Sequence, residues 1–337
     1  MTTLPRYQVA GLGNALLDAL ITIDDDAILQ EMGLNRGLMH PVDHQAWQDA
    51  FTKLQHFGAQ VQSGGSCANT IATLGLLGLE TIYCGQVGDD QQGHLYAKAM
   101  TEACGRHALH FSRELNTGKC LSIISKRDAE RTMLTDLGAA VALPGLGSFG
   151  DDVRQSAMLH ITGYLMLGEP MASRAMEAVA IANQQEIPVS VDVADPFVVA
   201  TVRDAMWRLV EEFADIVFLN AEEARALTGQ GPEQAIQTVG RICDTVVLKL
   251  GSRGSLVKYR DELHTIAVHP TVALDTTGAG DAFAAGFLYG RTLGWDARRS
   301  GDLGSRVASL AVGQVGAVVR DRAALAAAVQ ACLAANP

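Results

Sequence analysis

Short apolar runs alternate with helix-length segments along most of this chain, and that rhythm restricts it to few folds. Tyr7–Leu12, Thr81–Cys84, Met158–Gly163, Val189–Val193, Ile216–Leu219 and Thr245–Leu250 read as buried strands, rich in branched and apolar residues. Thr70–Leu79, Met171–Gln184 and Arg203–Phe213 read as helices, and Ser305–Gly313 and Ala323–Ala335 as alanine-rich helices near the end. Strand, helix and strand in succession close a parallel pair, so the repetition predicts an α/β fold with a central, mainly parallel sheet and helices on both faces. Open sheets of this kind bind ligands at the carboxyl ends of their strands. With 337 residues and no linker, internal repeat or low-complexity boundary, the chain is expected to form a single domain over 1–337.

One region breaks the rhythm. Cys120–Ser125 and Thr132–Thr135 are strands joined by the polar turn Lys126-Arg127-Asp128-Ala129-Glu130-Arg131, with no room for a helix between them. Together with residues near 18–23 and 36–42 they are expected to build a small second sheet, a lid formed by about residues 14–42 and 109–137.

Asp275-Thr276-Thr277-Gly278-Ala279-Gly280-Asp281 leads from a strand-like segment into a helix through residues with little or no side chain. Successive N–H groups at Gly278, Ala279 and Gly280 can converge into a nest, and the helix dipole adds to its pull on an anion. Asp281 would stand beside that anion as a proton acceptor. An anion hole with a base at its edge suits phosphoryl transfer to a hydroxyl. The plainer alternative is a left-handed helix entry with Asp281 as an ordinary cap. Against it, Asn220, Lys249, Gly251 and Asp275 are all expected at the carboxyl ends of neighbouring parallel strands, one edge of the sheet.

The common nucleotide motifs are absent. Gly11-x-Gly13 lacks a third glycine, since position 16 is Leu. The letters of Gly145-Leu146-Gly147-Ser148-Phe149-Gly150 match a dinucleotide fingerprint, but the next strand starts too soon for a full phosphate-binding helix. Gly118-Lys119-Cys120 lacks the rest of a Walker loop. Asn14 and Asp18 instead lead into the apolar strand Ala19–Ile23, where they suit either hydroxyl recognition or the capping of a turn. Gly64 and Gly65, in the glycine-rich turn from Gln62 to Asn69 that precedes the helix Thr70–Leu79, let backbone come close to a ligand.

A formal charge of −11, with no basic stripe to offset it, argues against nucleic acid and for small-molecule work. No apolar run is long enough to span a bilayer, so no membrane association is expected. The six cysteines form no Cys-x-x-Cys pair and read as buried free thiols. Met1–Arg6 lacks the basic and apolar regions of a signal peptide, which predicts a cytoplasmic location.

On these residues the chain resembles the ribokinase (pfkB) family of carbohydrate and nucleoside kinases, nearly end to end. Asp275–Gly286 fits the family's C-terminal signature; Gly64-Gly65-x-x-x-Asn69, with Gly88-Asp89-Asp90 downstream, fits its N-terminal signature. Asn220-x-x-Glu223 is similar to its magnesium and phosphate motif. Gly13–Asp18 and Glu130-Arg131-Thr132-Met133 most resemble the adenosine-kinase-like branch. The resemblance implies a ribokinase-like fold and an ATP-dependent kinase. Asp281 would be the general base, and Gly278, Ala279 and Gly280 would hold the γ-phosphate. Asn14, Asp18, Gly64, Gly65 and Asn69 would bind the acceptor, and Arg131 would neutralise transition-state charge. It further implies Mg²⁺ held through water by Asn220 and Glu223, and an ATP groove lined by Lys249, Gly251 and Gly254. Asp275 and Thr277 correspond to a site where family members often hold a monovalent cation such as K⁺. The acceptor expected is adenosine or a related ribonucleoside at its 5′-hydroxyl, with ribose, fructose or 2-keto-3-deoxygluconate as alternatives. A silent sugar or nucleotide sensor is the non-enzymatic alternative, and either a monomer or a homodimer is compatible with the chain.

Overall fold

The computed structural model describes residues 4–128 and 130–335. Met1–Thr3, part of the stretch inspected for a signal peptide, and Ala129 of the hairpin turn lie outside the described residues. The strands in chain order are β1 (Val9–Leu12), β2 (Leu16–Ile23), β3 (Met39–Pro41), β4 (Gln60–Gly64), β5 (Thr81–Gly88), β6 (Ala108–Ser112) and β7 (Gly118–Ser125). They continue with β8 (Arg131–Asp136), β9 (Leu159–Thr162), β10 (Val189–Asp192), β11 (Ile216–Asn220), β12 (Thr245–Lys249), β13 (Ser255–Tyr259) and β14 (Glu262–Ile266).

Nine strands make the large sheet, in the order β14-β13-β12-β11-β10-β9-β1-β5-β6. From β6 to β12 every pairing is parallel, and β13 and β14 turn back antiparallel at one edge. The central strands are buried along their whole length, as a parallel sheet covered on both faces requires. One apolar core lies between the sheet and the helices Ser66–Leu76 and Ala279–Thr292, and a second lies on the opposite face.

Register decides which side chains gather at the carboxyl edge. Asp192 pairs with Thr162 on one side and Phe218 on the other, and Asn220 pairs with Lys249. Residues in register on parallel strands share a face. Asp192 and Lys249 therefore meet on the face beneath the helix Ala279–Thr292.

The second sheet has the order β3-β8-β7-β2-β4. Ala19, Ile21, Ile23, Leu121, Ile123 and Leu134 fill one face and pack on Trp47, Ala50 and Leu54 of the helix His44–Leu54. By alternation the other face carries Asp18, Leu20, Ser122, Ile124, Arg131 and Met133. β4 is a strand that pairs antiparallel with β2, and its last three residues, Gln62 to Gly64, are the start of the stretch read from sequence as a glycine-rich turn. Residues 108–112 pair with β5 at the edge of the large sheet.

One local expectation is corrected. Asp275 is not at a strand end: it lies on the loop that follows β14, tied to the backbone of Val312 and Gly316. Before β11 the helix expected over 203–213 follows a kink at Val202 (φ −129°, ψ 37°), and a further helical segment opens ahead of it at Pro196, capped by Asp195. The six cysteines are free and buried. Among the described residues no helix is long and apolar enough to cross a membrane.

Candidate active site

Gly278 is the N-cap of the helix Ala279–Thr292 and sits in the left-handed region at φ 70°. A Cβ there would also come within 2.4 Å of the Ala317 methyl, so backbone conformation and space both demand glycine. An α-helix leaves the N–H groups of its first turn without partners inside the helix, the arrangement of an anion site; here the Ala279 N–H also reaches back to the Thr276 carbonyl at 3.3 Å.

Asp281, in that turn, is held from the facing helix. Ser66 Oγ donates to its Oδ1 at 2.6 Å and Asn69 Nδ2 to its Oδ2 at 2.9 Å. Both donors lie on the helix that starts after Gly65, whose φ of 92° sends β4 into that helix; a Cβ there would strike the Asn14 carbonyl. A carboxylate at a helix N-terminus is expected to be a weak base. Burial outweighs that here: it pushes the Asp281 carboxyl above its ordinary value, with Asp192 adding to the rise, while Ser66, Asn69 and Lys249 oppose it.

Across from Asp281 stands Asp18 on β2. Its carboxylate lies against Gly64, where any Cβ would collide with it. Burial pushes Asp18 up to about 7, Arg131 opposes the rise, and Asp281 and Asp275 add to it. Arg131 opens β8 on the same sheet face and forms no ion pair among the described residues. Asn14 Oδ1 and Asn69 Oδ1 are buried acceptors without a hydrogen-bond partner among the described residues. Such atoms are costly to bury unless something binds them.

On the other side of the turn, Asn220 and Glu223 form a reciprocal capping box. Asn220 Oδ1 accepts from the N–H groups of Glu222 and Glu223, and Glu223 Oε2 accepts from the Asn220 N–H at 2.7 Å. Burial pushes Glu223 up to about 7, against the pull of Lys249. Lys249 Nζ lies 2.9 Å from Asp192 Oδ2. Gly251, at φ 61°, and Gly254, at φ 85°, shape the turn that follows Lys249. A Cβ on Gly254 would strike the Ile266 carbonyl, so that glycine serves strand packing.

Asp275 closes the loop before Gly278: its Oδ1 accepts from the Thr277 N–H and hydroxyl, and its Oδ2 from the Gly316 N–H. The segment 313–317 links this loop to a cavity of about 570 Å³ lined by His269, Pro270, Thr271, Leu310, Ala324 and Ala328, among others. The predicted residues thus fall into three neighbouring groups: those around β2 and β4 of the second sheet, the turn from Asp275 to Asp281, and the ends of β11 and β12. Sequence reasoning missed Ser66, Asp192 and the cavity. Ser66 directly follows Gly65 and is three residues before Asn69, a spacing that places both on one helix face; Asp192 is a carboxylate ending a buried strand.

The family model described as pfkB family carbohydrate kinase matches residues 42–322. The crystal structure of adenosine kinase from Sinorhizobium meliloti superimposes with a TM-score of 0.88 at 31% identity, covering 97% of this chain and 99% of that one. Adenosine kinase from Saccharomyces cerevisiae is 27% identical over 78% of this chain and 81% of its own length. The 5-dehydro-2-deoxygluconokinase of Bacillus licheniformis is also 27% identical, over 74% of this chain and 80% of its own. The chain belongs to the pfkB family of carbohydrate kinases: it has the ribokinase-like fold and is a phosphotransferase acting on an alcohol group.

Proposed function

We propose that this pfkB-family kinase transfers the γ-phosphate of ATP to the 5′-hydroxyl of a ribonucleoside, adenosine or a close relative. Asp281 takes the proton from that hydroxyl, and the backbone of Gly278, Ala279 and Gly280 holds the phosphoryl group as it moves. The observation that carries this reading is the placement of Asp281, held by Ser66 and Asn69 at the mouth of the turn and facing Asp18. A base raised above the usual carboxylate range accepts a proton more readily. Loose phosphoryl transfer leaves the protein mainly positioning and charge stabilisation to supply.

The acceptor side fits a ribose with a base attached. Asp18 and the buried, unpartnered Asn14 Oδ1 and Asn69 Oδ1 are acceptors for sugar hydroxyls, and Gly64 and Gly65 leave room for them. Beyond Asp18 the same sheet face carries the half-exposed Met133, suited to one side of a flat apolar ring, while Leu20 and Ile124 beside it are already covered by the protein. The second sheet then acts as the lid over the acceptor. Arg131, facing Asp18, is the cation that turns to the transferring phosphate when the lid closes.

The nucleotide base occupies the cavity beside Thr271 and Ala328, and Lys249, Gly251 and Gly254 border the path to its phosphates. Asn220 and Glu223 already use their polar atoms on each other, so they fit a hydrated Mg²⁺ through its waters and not as direct ligands. When bound, the ion neutralises phosphate charge. Asp275 and Thr277 direct their hydrogen bonds into the loop, which suits a structural role, and no step here requires a monovalent cation.

A second reading, a sugar kinase, draws on the similarity to 5-dehydro-2-deoxygluconokinases. A small acceptor would leave the half-exposed Met133 uncovered. Coupled measurement of ADP release across adenosine, other nucleosides, ribose, fructose and 5-dehydro-2-deoxygluconate separates the two. Turnover confined to a free sugar or sugar acid would overturn the nucleoside assignment.

A further inference from the structure

Lys249 lies where a kinase needs a fixed positive charge. It ends β12 on the sheet face under the helix Ala279–Thr292, with Nζ 2.9 Å from Asp192 Oδ2. That is the ammonium's hydrogen bond among the described residues, so two of its three N–H donors remain for a ligand. A Cβ built on Gly280 would stand 3.0 Å from Nζ, which means the ammonium rests against the backbone of the turn itself. A side chain at this position would push the ammonium back by a few tenths of an ångström.

The surroundings keep that charge in place. Burial works to neutralise Lys249, but Asp192, Glu223 and Asp281 more than offset it and the ammonium is held more firmly than usual. Three carboxylates thus share one buried cation. A phosphoryl group arriving at Gly278–Gly280 would meet their repulsion unless Lys249 stood between. Arg131, the other cation nearby, stands on the second sheet beside Asp18.

We infer that Lys249 is a catalytic residue, donating to an equatorial oxygen of the phosphoryl group in flight while it keeps its bond to Asp192, which acts as the positioning residue. This rests on the phosphate site proposed above and adds a second, permanently seated cation to it. No bond to Lys249 forms. The P–O bond to ADP breaks, the P–O bond to the acceptor forms, and the acceptor's proton goes to Asp281. The ammonium stabilises the charge spread over the three passing oxygens, and its direction is fixed before substrate arrives.

The competing explanation is a structural ion pair, and the two differ in how they respond to paired substitution. Removing one partner of a buried pair leaves the other charge uncompensated and destabilises the fold. Lys249→Met alone is therefore ambiguous; Lys249→Met combined with Asp192→Asn removes the hydrogen-bonded pair, and its kcat followed across pH separates loss of the donor, which lowers the whole profile, from a shifted Asp281, which only moves it. The double variant is expected to unfold cooperatively near the wild-type temperature and to keep its acceptor KM within about threefold. Its kcat should fall by about 10²-fold or more, the scale seen when one preorganised donor is lost from a transition state. Asp192→Asn alone, which keeps an acceptor for the ammonium, should lose less kcat than the double variant. A double variant that recovers kcat to within about threefold of wild type would overturn the catalytic role and leave a structural pair. Asp281→Asn measured in parallel separates the levels: if it is inactive while the double variant is active, only this inference fails. If Asp281→Asn remains active, the proposed chemistry beneath it fails as well.

Discussion

The turn around Asp281 and the second sheet hold their charged groups in opposite ways. At the turn, Asp281, Asp275 and Glu223 are tied by buried hydrogen bonds from Ser66, Asn69, Thr277, Gly316 and Asn220. On the second sheet, Arg36 reaches Asp26, Asp128 and Glu130, Lys126 reaches Asp24, and Arg127 reaches Asp26, in pairs that are partly or largely open to solvent. Exposed pairs of this kind contribute about 0–1 kcal/mol each and exchange partners readily. Under the proposed function the difference is a division of labour: the groups that would stabilise charge are fixed before substrate arrives, and the sheet that would cover the acceptor is clasped only by surface pairs.

Substitutions should respect that division. The largest effect is expected for Asp281→Asn, which keeps hydrogen-bonding capacity at the turn but removes the base. Its kcat should fall by about 10³-fold or more with little change in melting temperature. Near-normal turnover would remove Asp281 from the chemistry. Gly278→Ala should lose about 10²-fold in turnover and also melt earlier, because a left-handed alanine costs about 1–2 kcal/mol before the contact with Ala317 is counted. A variant that melts earlier yet turns over normally would show that the nest tolerates distortion, against the rigid half of the comparison.

Arg131→Ala tests the loosely clasped half. Turnover should drop about tenfold or more while the nucleotide KM stays within about twofold; the reverse pattern would make Arg131 a hairpin residue only. A pH series probes Asp18, which must be ionised to accept two hydroxyls and whose burial pushes it up to about 7. The acceptor KM should therefore rise about tenfold per unit as pH falls below that value, a dependence absent in Asp18→Asn. The stability sign runs the other way. Between the ordinary 3.8 and about 7 the folded state binds the extra proton, so stability declines as pH rises through that window, and Asp18→Asn flattens the decline. The smallest effect is expected for Arg36→Ala: a melting temperature almost unchanged, and an acceptor KM altered about twofold and less so at high salt. A large loss of stability would show the second sheet to be locked rather than loosely clasped.

What could be read from the chain follows the same line between local and assembled features. Gly278, Gly280 and Asp281, and the box of Asn220 and Glu223, act within one turn of chain, and local spacing is visible in any sequence. Strand order is partly visible, since helix–strand alternation forces parallel neighbours. Asp192 and Lys249, 57 residues apart, become a pair through the register of β10, β11 and β12, which no local pattern encodes. β4 escaped notice for a physical reason: Gln60–Gly64 is a short strand with exposed residues at its start, and it lacks the apolar alternation that marks a half-buried strand. The rise in Asp281 was also hidden, because a helix N-terminus is legible locally and burial from the facing helix is not.

The position of the phosphate on the product tests the central claim most directly. After incubation of the wild-type enzyme with ATP, Mg²⁺ and adenosine, ³¹P NMR of the purified product should show a monoester phosphorus coupled to two methylene protons, as a 5′-phosphate requires. No phosphorylated nucleoside, with 5-dehydro-2-deoxygluconate or another free sugar acid phosphorylated under the same conditions, would contradict the account of the acceptor face around Asp18.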